Sequence, residues 1–383
     1  MRRPGVWLLA LLPAHALVLA LAPAPTVEAV YGQALFPIVA RVHAALDATP
    51  ISPGVTLGVA LLLLVLGGAL RTTRSTAPAS SAWSASPAPT WSAAATASIG
   101  SMAGGSTAGG STAGVQGGAS PSRARRFLRA SAWRLLVVAA ALAHAFSPSW
   151  GLNYRRPSVG ERLGLVEAGG SFGRTADRVV RATNAARVPW GRPDLAGLER
   201  AVDEAVQRTL RELGLAEAAV PGRRVRLLPP RLMAVGGWAG VTLPWTTEAM
   251  VDPAIDPRSL PHCMAHEKAH QAGFAREADA NFIAWLSLVR SDDPRLRYST
   301  LFFVVDLFVD DAQVPLEPDL VADAREAVAI QKAVQVPAVR SASERVYDTY
   351  LRANEVQAGI ADYDGVARLI HAWLQRHPET LPE

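Results

Sequence analysis

HCMAHEKAHQAGFAREADANF, residues 262–282, is the stretch on which the reading of this chain turns. It contains H-E-x-x-H as His266, Glu267 and His270. In a helix, residues four apart sit one above the other on one face. His266 and His270 therefore point the same way and can grip one zinc ion, Zn2+, while Glu267 lies on the adjoining face, within reach of a zinc-bound water. Zinc lowers the pKa of such a water to about 7, and the glutamate takes the proton as the hydroxide attacks a peptide carbonyl. Ser259 near the cap and Pro261 in the first turn give the helix a start. Gly273 is placed to end it in the left-handed conformation. Three fixed residues in five also arise on ordinary helix faces, so the pattern needs a third ligand before it means a metal site.

A second helix is expected from about Ala275 (AREADANFIAWLSLVR), with Glu277 in its first turn. Glu277, Ala280, Asn281, Ala284 and Leu288 share a face, and the chain reversal at Gly273 can bring that face back towards the two histidines. Glu277 then supplies the third ligand and leaves one position for water, as catalytic zinc requires. Asn281, one turn on, can hydrogen-bond a ligand histidine and fix its tautomer. Asp279 is the alternative ligand, about 200° round the helix from Glu277 at roughly 3.6 residues per turn. HEKAHQAGFAR follows the metzincin signature as far as Gly273, but Arg276 stands where that signature has its third ligand, and arginine does not bind zinc. His262, at the helix start, reads as a supporting or surface residue, and Cys263 as a packed thiol.

The 383 residues are 50% hydrophobic and 19% charged, with a mean hydropathy of +0.15. That is apolar for a protein wholly in water, and three runs account for it: Val6–Ala22, Val55–Leu70 and Ser131–Phe146. Ala20-Leu21-Ala22 has the form of a signal-peptide cleavage site, but two further runs follow, and the first reads as an uncleaved spanning helix. Arg2 and Arg3 precede the first run, Arg71 and Arg74 follow the second, and Arg123, Arg125, Arg126 and Arg129 precede the third. Arg41 stands alone between the first two. Positive flanks stay in the cytoplasm, so everything beyond about residue 148 is expected outside it.

Residues 72–122, with the repeat GGSTAGGSTAG, lack the apolar surface to offset ordering and read as a disordered low-complexity loop. The expected organisation is two spanning helices in 1–71 (about 6–22 and 55–70), the loop at 72–122, a third span at 123–147 and an extracytoplasmic domain at 148–383. Net charge is +5, almost wholly from arginines scattered among acids. No basic block interleaves with aromatics, so nucleic-acid binding is not expected; the partners are the lipid bilayer and a peptide or protein substrate. The single Cys263 excludes an internal disulfide and a cysteine-based metal site.

From Val159 the chain reads as globular. Ala176–Ala186 and Pro193–Leu215 have helical periodicity, Arg223–Leu228 alternates like a strand, and Leu232–Leu243 (LMAVGGWAGVTL) reads as glycine-interrupted extended chain. After Pro261 the pattern is mostly helical. The fold class is α+β, mostly helical with a small sheet, preceded by three transmembrane helices. Gly236, Gly237 and Gly240 would allow close backbone approach, as an edge strand taking up a peptide substrate requires. Tyr298 is a conceivable oxyanion donor. TLFFVVDLFV, residues 300–309, is too short to span a bilayer as a helix.

Glu277-Ala-Asp-Ala280-Asn281 resembles the E-x-x-A-D/N element that follows H-E-x-x-H in gluzincins. PTVEAVYGQALFP (25–37), WGLNYRRP (150–157), LMAVGGWAGVTLPWTTEAMV (232–251) and HEKAHQAGFAREADANF together resemble DUF3810, a family of bacterial membrane proteins grouped with zinc metallopeptidases. The resemblance implies His266, His270 and Glu277 as ligands, Glu267 as base, a zincin-like domain and a place in the bacterial inner (cytoplasmic) membrane. The loop at 72–122 departs from the family, whose second and third spans are joined briefly. The expected function is a membrane-anchored zinc-dependent metallopeptidase; the alternative is a non-catalytic zinc-binding membrane sensor or scaffold.

Overall fold

A computed structural model of the chain describes residues 6–7, 9–12, 21–47, 52–54, 56–61, 63, 121–165, 169–191, 194–353 and 363–381. The runs expected to span at 6–22 and 55–70 lie partly outside these residues, and the loop at 72–122 lies outside them apart from its last two positions. Among the described residues one helix is long and apolar enough to cross a membrane, at Phe127–Ser149. Its 23 residues extend about 34 Å at 1.5 Å per residue, against a hydrocarbon core of about 30 Å. The expected set of three spanning helices thus reduces, among the described residues, to one.

A helical segment begins at Ala24–Thr26, widens through nine π-type residues at Val27–Leu35, and continues as α1 (Phe36–Asp47). Helix α2 (Pro121–Ser149) takes in the apolar stretch. Then come α3 (Phe172–Ala186), α4 (Leu195–Glu212), β1 (Val225–Leu227), β2 (Gly240–Thr242), β3 (Ala249–Val251), α5 (Leu260–Gln271), α6 (Glu277–Val289), α7 (Pro294–Val304), α8 (Pro318–Val334), α9 (Pro337–Ala353) and α10 (Tyr363–Arg376). The strands form one small sheet in the order β1-β3-β2. β1 runs parallel to β3 and β2 antiparallel to it, with Gly240 opposite Val251. The chain divides into two compact units, residues 60–138 and the remainder, and the remainder holds everything described below.

Helix α6 is the axis of the domain. Every one of its residues is buried, and α4, α5, α7 and α10 pack around it. A helix apolar on all sides needs such a surround. Phe282, Ile283, Trp285, Leu286 and Leu288 have no exposed surface, each contributing roughly 1.5–3 kcal/mol by leaving water. Helix α5 lies between α6 and the sheet and is itself nearly all buried. Its Ser259 occupies the cap position but makes no side-chain cap. The free N–H of His262 instead bonds Ser299 Oγ of α7 at 3.1 Å, a partner that no local pattern announces.

The stretch 232–243, expected to be extended, is mostly a turn. The Asp252 carboxylate accepts the N–H groups of Arg231 and Met233 at 2.9 Å and of Ala234 at 3.0 Å, curling the chain into a short 3-10 turn at Ala234–Gly236. Only Gly240–Thr242 remains strand, at the edge of the sheet.

The segment 24–47 packs beside the turn between α5 and α6. Tyr31, Phe36, Trp150 and His270 follow one another at ring distances of 5.5, 6.3 and 6.0 Å. Glu28 takes Arg156 in a two-bond pair at 2.7 and 3.0 Å. The last turns of α2 are tied to the sheet, since Trp245 Nε1 donates to the Leu142 carbonyl at 3.1 Å.

Candidate metal centre

Gly273 ends α5 with φ +95°, a backbone that costs glycine little and other residues much. Phe274 N–H reaches back to the Ala269 carbonyl and Gly273 N–H to that of His270, the paired bonds of a Schellman turn. Four residues later α6 begins at Glu277, two positions beyond the expected start. The reversal is therefore built from the glycine, and it returns Glu277 to the face of α5 that carries the histidines.

Three donor atoms converge there. His266 Nε2 and His270 Nε2 are 3.0 Å apart. Glu277 Oε2 is 3.2 Å from His266 Nε2, and Oε1 is 3.6 Å from His270 Nε2. Both imidazoles have the other nitrogen engaged: His266 Nδ1 donates to Asn281 Oδ1 at 2.9 Å, and His270 Nδ1 to the Phe274 carbonyl at 2.6 Å. A neutral imidazole bound through Nδ1–H presents its Nε2 lone pair. Two such lone pairs and a carboxylate facing one another repel unless a positive charge lies among them. The donor set, two imidazole nitrogens and one carboxylate oxygen, fits a divalent zinc ion.

The electrostatics run the same way. Burial alone would raise Glu277, yet its bonds to His266 and His270 and their charge hold it well below the usual carboxylate range. Burial works against a charged His270, but Glu277 outweighs it and His270 is pushed up to about 9. A proton on His270 thus supplies the positive charge between the carboxylate and the second imidazole.

Glu267 is buried beside the cluster. Thr242 Oγ1 of β2 donates to its Oε2 at 2.7 Å. Gly240 leaves the space its carboxylate needs, for a Cβ there would lie 2.6 Å from Oε1. Burial pushes the Glu267 carboxyl above its ordinary range, and the nearby imidazoles and Thr242 only partly reverse this. A raised carboxyl is suited to taking up and returning a proton.

Other expected site residues fall elsewhere. Gly236 and Gly237 lie in and just after the 3-10 turn, outside the edge strand, of which only Gly240 is part. Asp279 is buried but outside the converging group. Tyr298 gives its hydroxyl to Asp323 at 2.5 Å, so that hydroxyl is engaged in the anchorage of α8. His262 is buried rather than at the surface: Nε2 is 3.2 Å from Asn281 Oδ1, Nδ1 is 2.9 Å from Thr300 Oγ1, and its ring stacks on Phe303. Burial holds it down to about 3, and it supports Asn281 as a neutral imidazole. Thr242 and Tyr347 were not legible as site residues. Tyr347, on α9, donates its hydroxyl to Glu277 Oε1 from 70 positions away in the chain.

No curated protein and no solved structure matches the chain. A family model described as "Protein of unknown function (DUF3810)" matches residues 119–371, from just before α2 into α10. That match covers well over half of the 383 residues, and the chain belongs to the DUF3810 family.

Proposed function

We propose that this protein is a membrane-anchored zinc-dependent metallopeptidase with a zincin-like domain. His266, His270 and Glu277 would hold the metal, and Glu267 is the general base. The observation that carries the reading is the convergence of three donor atoms whose histidines are both locked to present Nε2, beside a buried glutamate of raised pKa. When bound, zinc supplies a Lewis acid that lowers the pKa of a water and polarises a carbonyl. Thr242 engages Glu267 Oε2, which leaves Oε1 to take the proton from the attacking water. The proton then passes to the departing amide nitrogen as the C–N bond breaks and the new C–O bond is completed. β2 is an outer strand, and a peptide adding to it by main-chain bonds would lie along Thr242 towards Glu267. With three spans and cytoplasmic positive flanks, the site would face outward from a bacterial inner membrane.

The test is full-length protein purified in detergent, assayed for zinc per chain and for cleavage of a mixed peptide library. The expected result is near one zinc and measurable cleavage, with Glu267→Gln keeping the zinc and losing the cleavage. Cleavage retained by Glu267→Gln overturns the mechanism, and a folded protein without zinc overturns the reading. A non-catalytic zinc sensor or scaffold is the second reading, favoured by the Tyr347 hydroxyl resting on Glu277. Full zinc with no cleavage of any peptide would select it.

A further inference from the structure

We propose that α9 is a cover over the metal centre, fastened by Tyr347 to Glu277, so that metal loading and the seating of this helix are one coupled equilibrium. The inference rests on the metal-binding reading and concerns how that site is opened and closed.

Among the described residues, α9 meets the protein along a narrow face and leaves most of its surface exposed. The first half of α8 is anchored firmly, since Asp323 accepts from Arg187 at 2.9 Å, from Arg258 at 2.9 Å and from Tyr298 at 2.5 Å. Glu326 adds a pair with Arg258 at 3.0 Å. Beyond it the chain becomes largely exposed, with Val328, Val336, Val339 and Val346 all open to solvent. One face of α9 meets the protein, formed by Arg340, Ser343 and Tyr347 at helical spacing. A backbone bond from Val336 N–H to the Val235 carbonyl, 2.9 Å, ties down the start of the helix. An element with so little buried surface opens at low free energy.

The two glycines that do not serve an edge strand explain the seat. A Cβ at Gly236 would lie 2.8 Å from Ser343 Oγ, and one at Gly237 would lie 3.4 Å from Arg340 Cγ. Gly236 thus admits a helix of the same chain at close range, while Gly237, at φ +85°, makes the turn that leads to Trp238. Trp238, next along, meets the Tyr347 ring edge-to-face at 4.4 Å. This contact aims the Tyr347 hydroxyl at Glu277 Oε1, leaving Oε2 turned to His266.

Coupling follows from that bond. A metal that fixes the Glu277 carboxylate fixes the acceptor of Tyr347, and by reciprocity a seated Tyr347 prepares Glu277 for the metal. Because Tyr347 rests on Glu277, lifting α9 removes a partner of that carboxylate, and the state of this helix therefore regulates the metal centre.

The experiment is limited trypsin digestion of the full-length protein in detergent, with and without zinc alone, following cuts after Arg340 and Arg345 by mass spectrometry. Both arginines are exposed on α9. In the wild type zinc is expected to slow these cuts about tenfold, since cutting tracks the open population. In Tyr347→Phe the protection is lost and zinc binding weakens about tenfold, the lower end of what outer partners of metal ligands contribute. Gly236→Val, which adds bulk beneath Ser343 without touching a ligand, gives the same two losses. Zinc bound at wild-type affinity by Tyr347→Phe, or cutting at Arg340 and Arg345 indifferent to zinc in the wild type, overturns the proposal and leaves the metal site standing. A wild type that binds no zinc removes both.

Discussion

Asn281 Oδ1 lies 2.9 Å from His266 Nδ1 and fixes which nitrogen of that histidine faces the centre. The same oxygen is 3.2 Å from His262 Nε2, so one amide is shared by His266 and a fully buried neutral histidine. Asn281→Ala leaves both imidazoles without their acceptor. Zinc affinity is expected to fall by roughly 10–100-fold, measured by competition with a fluorescent chelator. Asn281→Asp keeps the acceptor and is expected to retain most of the affinity. A wild-type affinity in the alanine variant would mean that the tautomer is set otherwise.

Glu277 and Asp279 share the first turn of α6, but only Glu277 reaches the histidines. Glu277→Ala is expected to lose nearly all zinc at micromolar metal, while Asp279→Ala keeps about one per chain. Metal analysis after gel filtration decides between them, and the reverse result would redraw the site.

The helix pair and the convergence of His266, His270 and Glu277 were legible because every signal for them is local. The four-residue spacing of the histidines, the glycine at 273 and Glu277 four residues past it all lie within one turn-and-return. The second layer was less so. Asn281 was found because it sits one helical turn from Glu277, whereas Thr242 and Tyr347 come from a strand and a helix whose approach depends on the whole packing. The glycines at 236 and 237 announced close backbone approach but not its partner, which is α9. The turn at 231–236 is imposed by Asp252, 18 to 21 positions away, and overrides a stretch that reads locally as extended.

Metal binding should release a proton. His270 is pushed up to about 9 in the metal-free cluster, chiefly because Glu277 outweighs the effect of burial. Zinc needs the neutral imidazole, so below that value metal and proton compete for Nε2. Affinity is expected to rise roughly tenfold per pH unit from 7 towards 9 and then to level off. The metal-free fold is expected to show the opposite trend. Stabilisation from the raised His270 pKa is complete below the ordinary histidine value and fades as pH rises through about 9. Calorimetry in two buffers of different ionisation enthalpy counts the released proton, and none released at pH 7 would contradict this account.

Gly273 carries two demands at once. Its φ of +95° disfavours any side chain, and a Cβ there would lie 2.6 Å from Phe36 Cε1 and 3.1 Å from Arg156 Nη1. Gly273→Ala is expected to destabilise the domain by about 1–3 kcal/mol. Since the strained turn is the one that returns Glu277, zinc affinity should fall alongside the melting temperature. An unchanged melting temperature would show that the turn relaxes without cost.

A substitution at Gly240 tests the proposed base apart from the proposed metal ligands. A Cβ at this position would meet Glu267 Oε1 at 2.6 Å and the Met250 carbonyl at 2.9 Å. The Glu267 carboxylate, the flexible partner, has to yield, and the edge strand has to shift slightly on β3 to clear the Met250 carbonyl. The Glu267 bond to Thr242 would be strained or broken, while His266, His270 and Glu277 are untouched by the added methyl. Gly240→Ala is therefore expected to keep about one zinc per chain and to lose at least tenfold in peptide cleavage, with the loss in kcat rather than KM. A variant that loses zinc instead would show that Glu267 supports the ligands, and that the edge strand acts on binding of the metal before it acts on the proton.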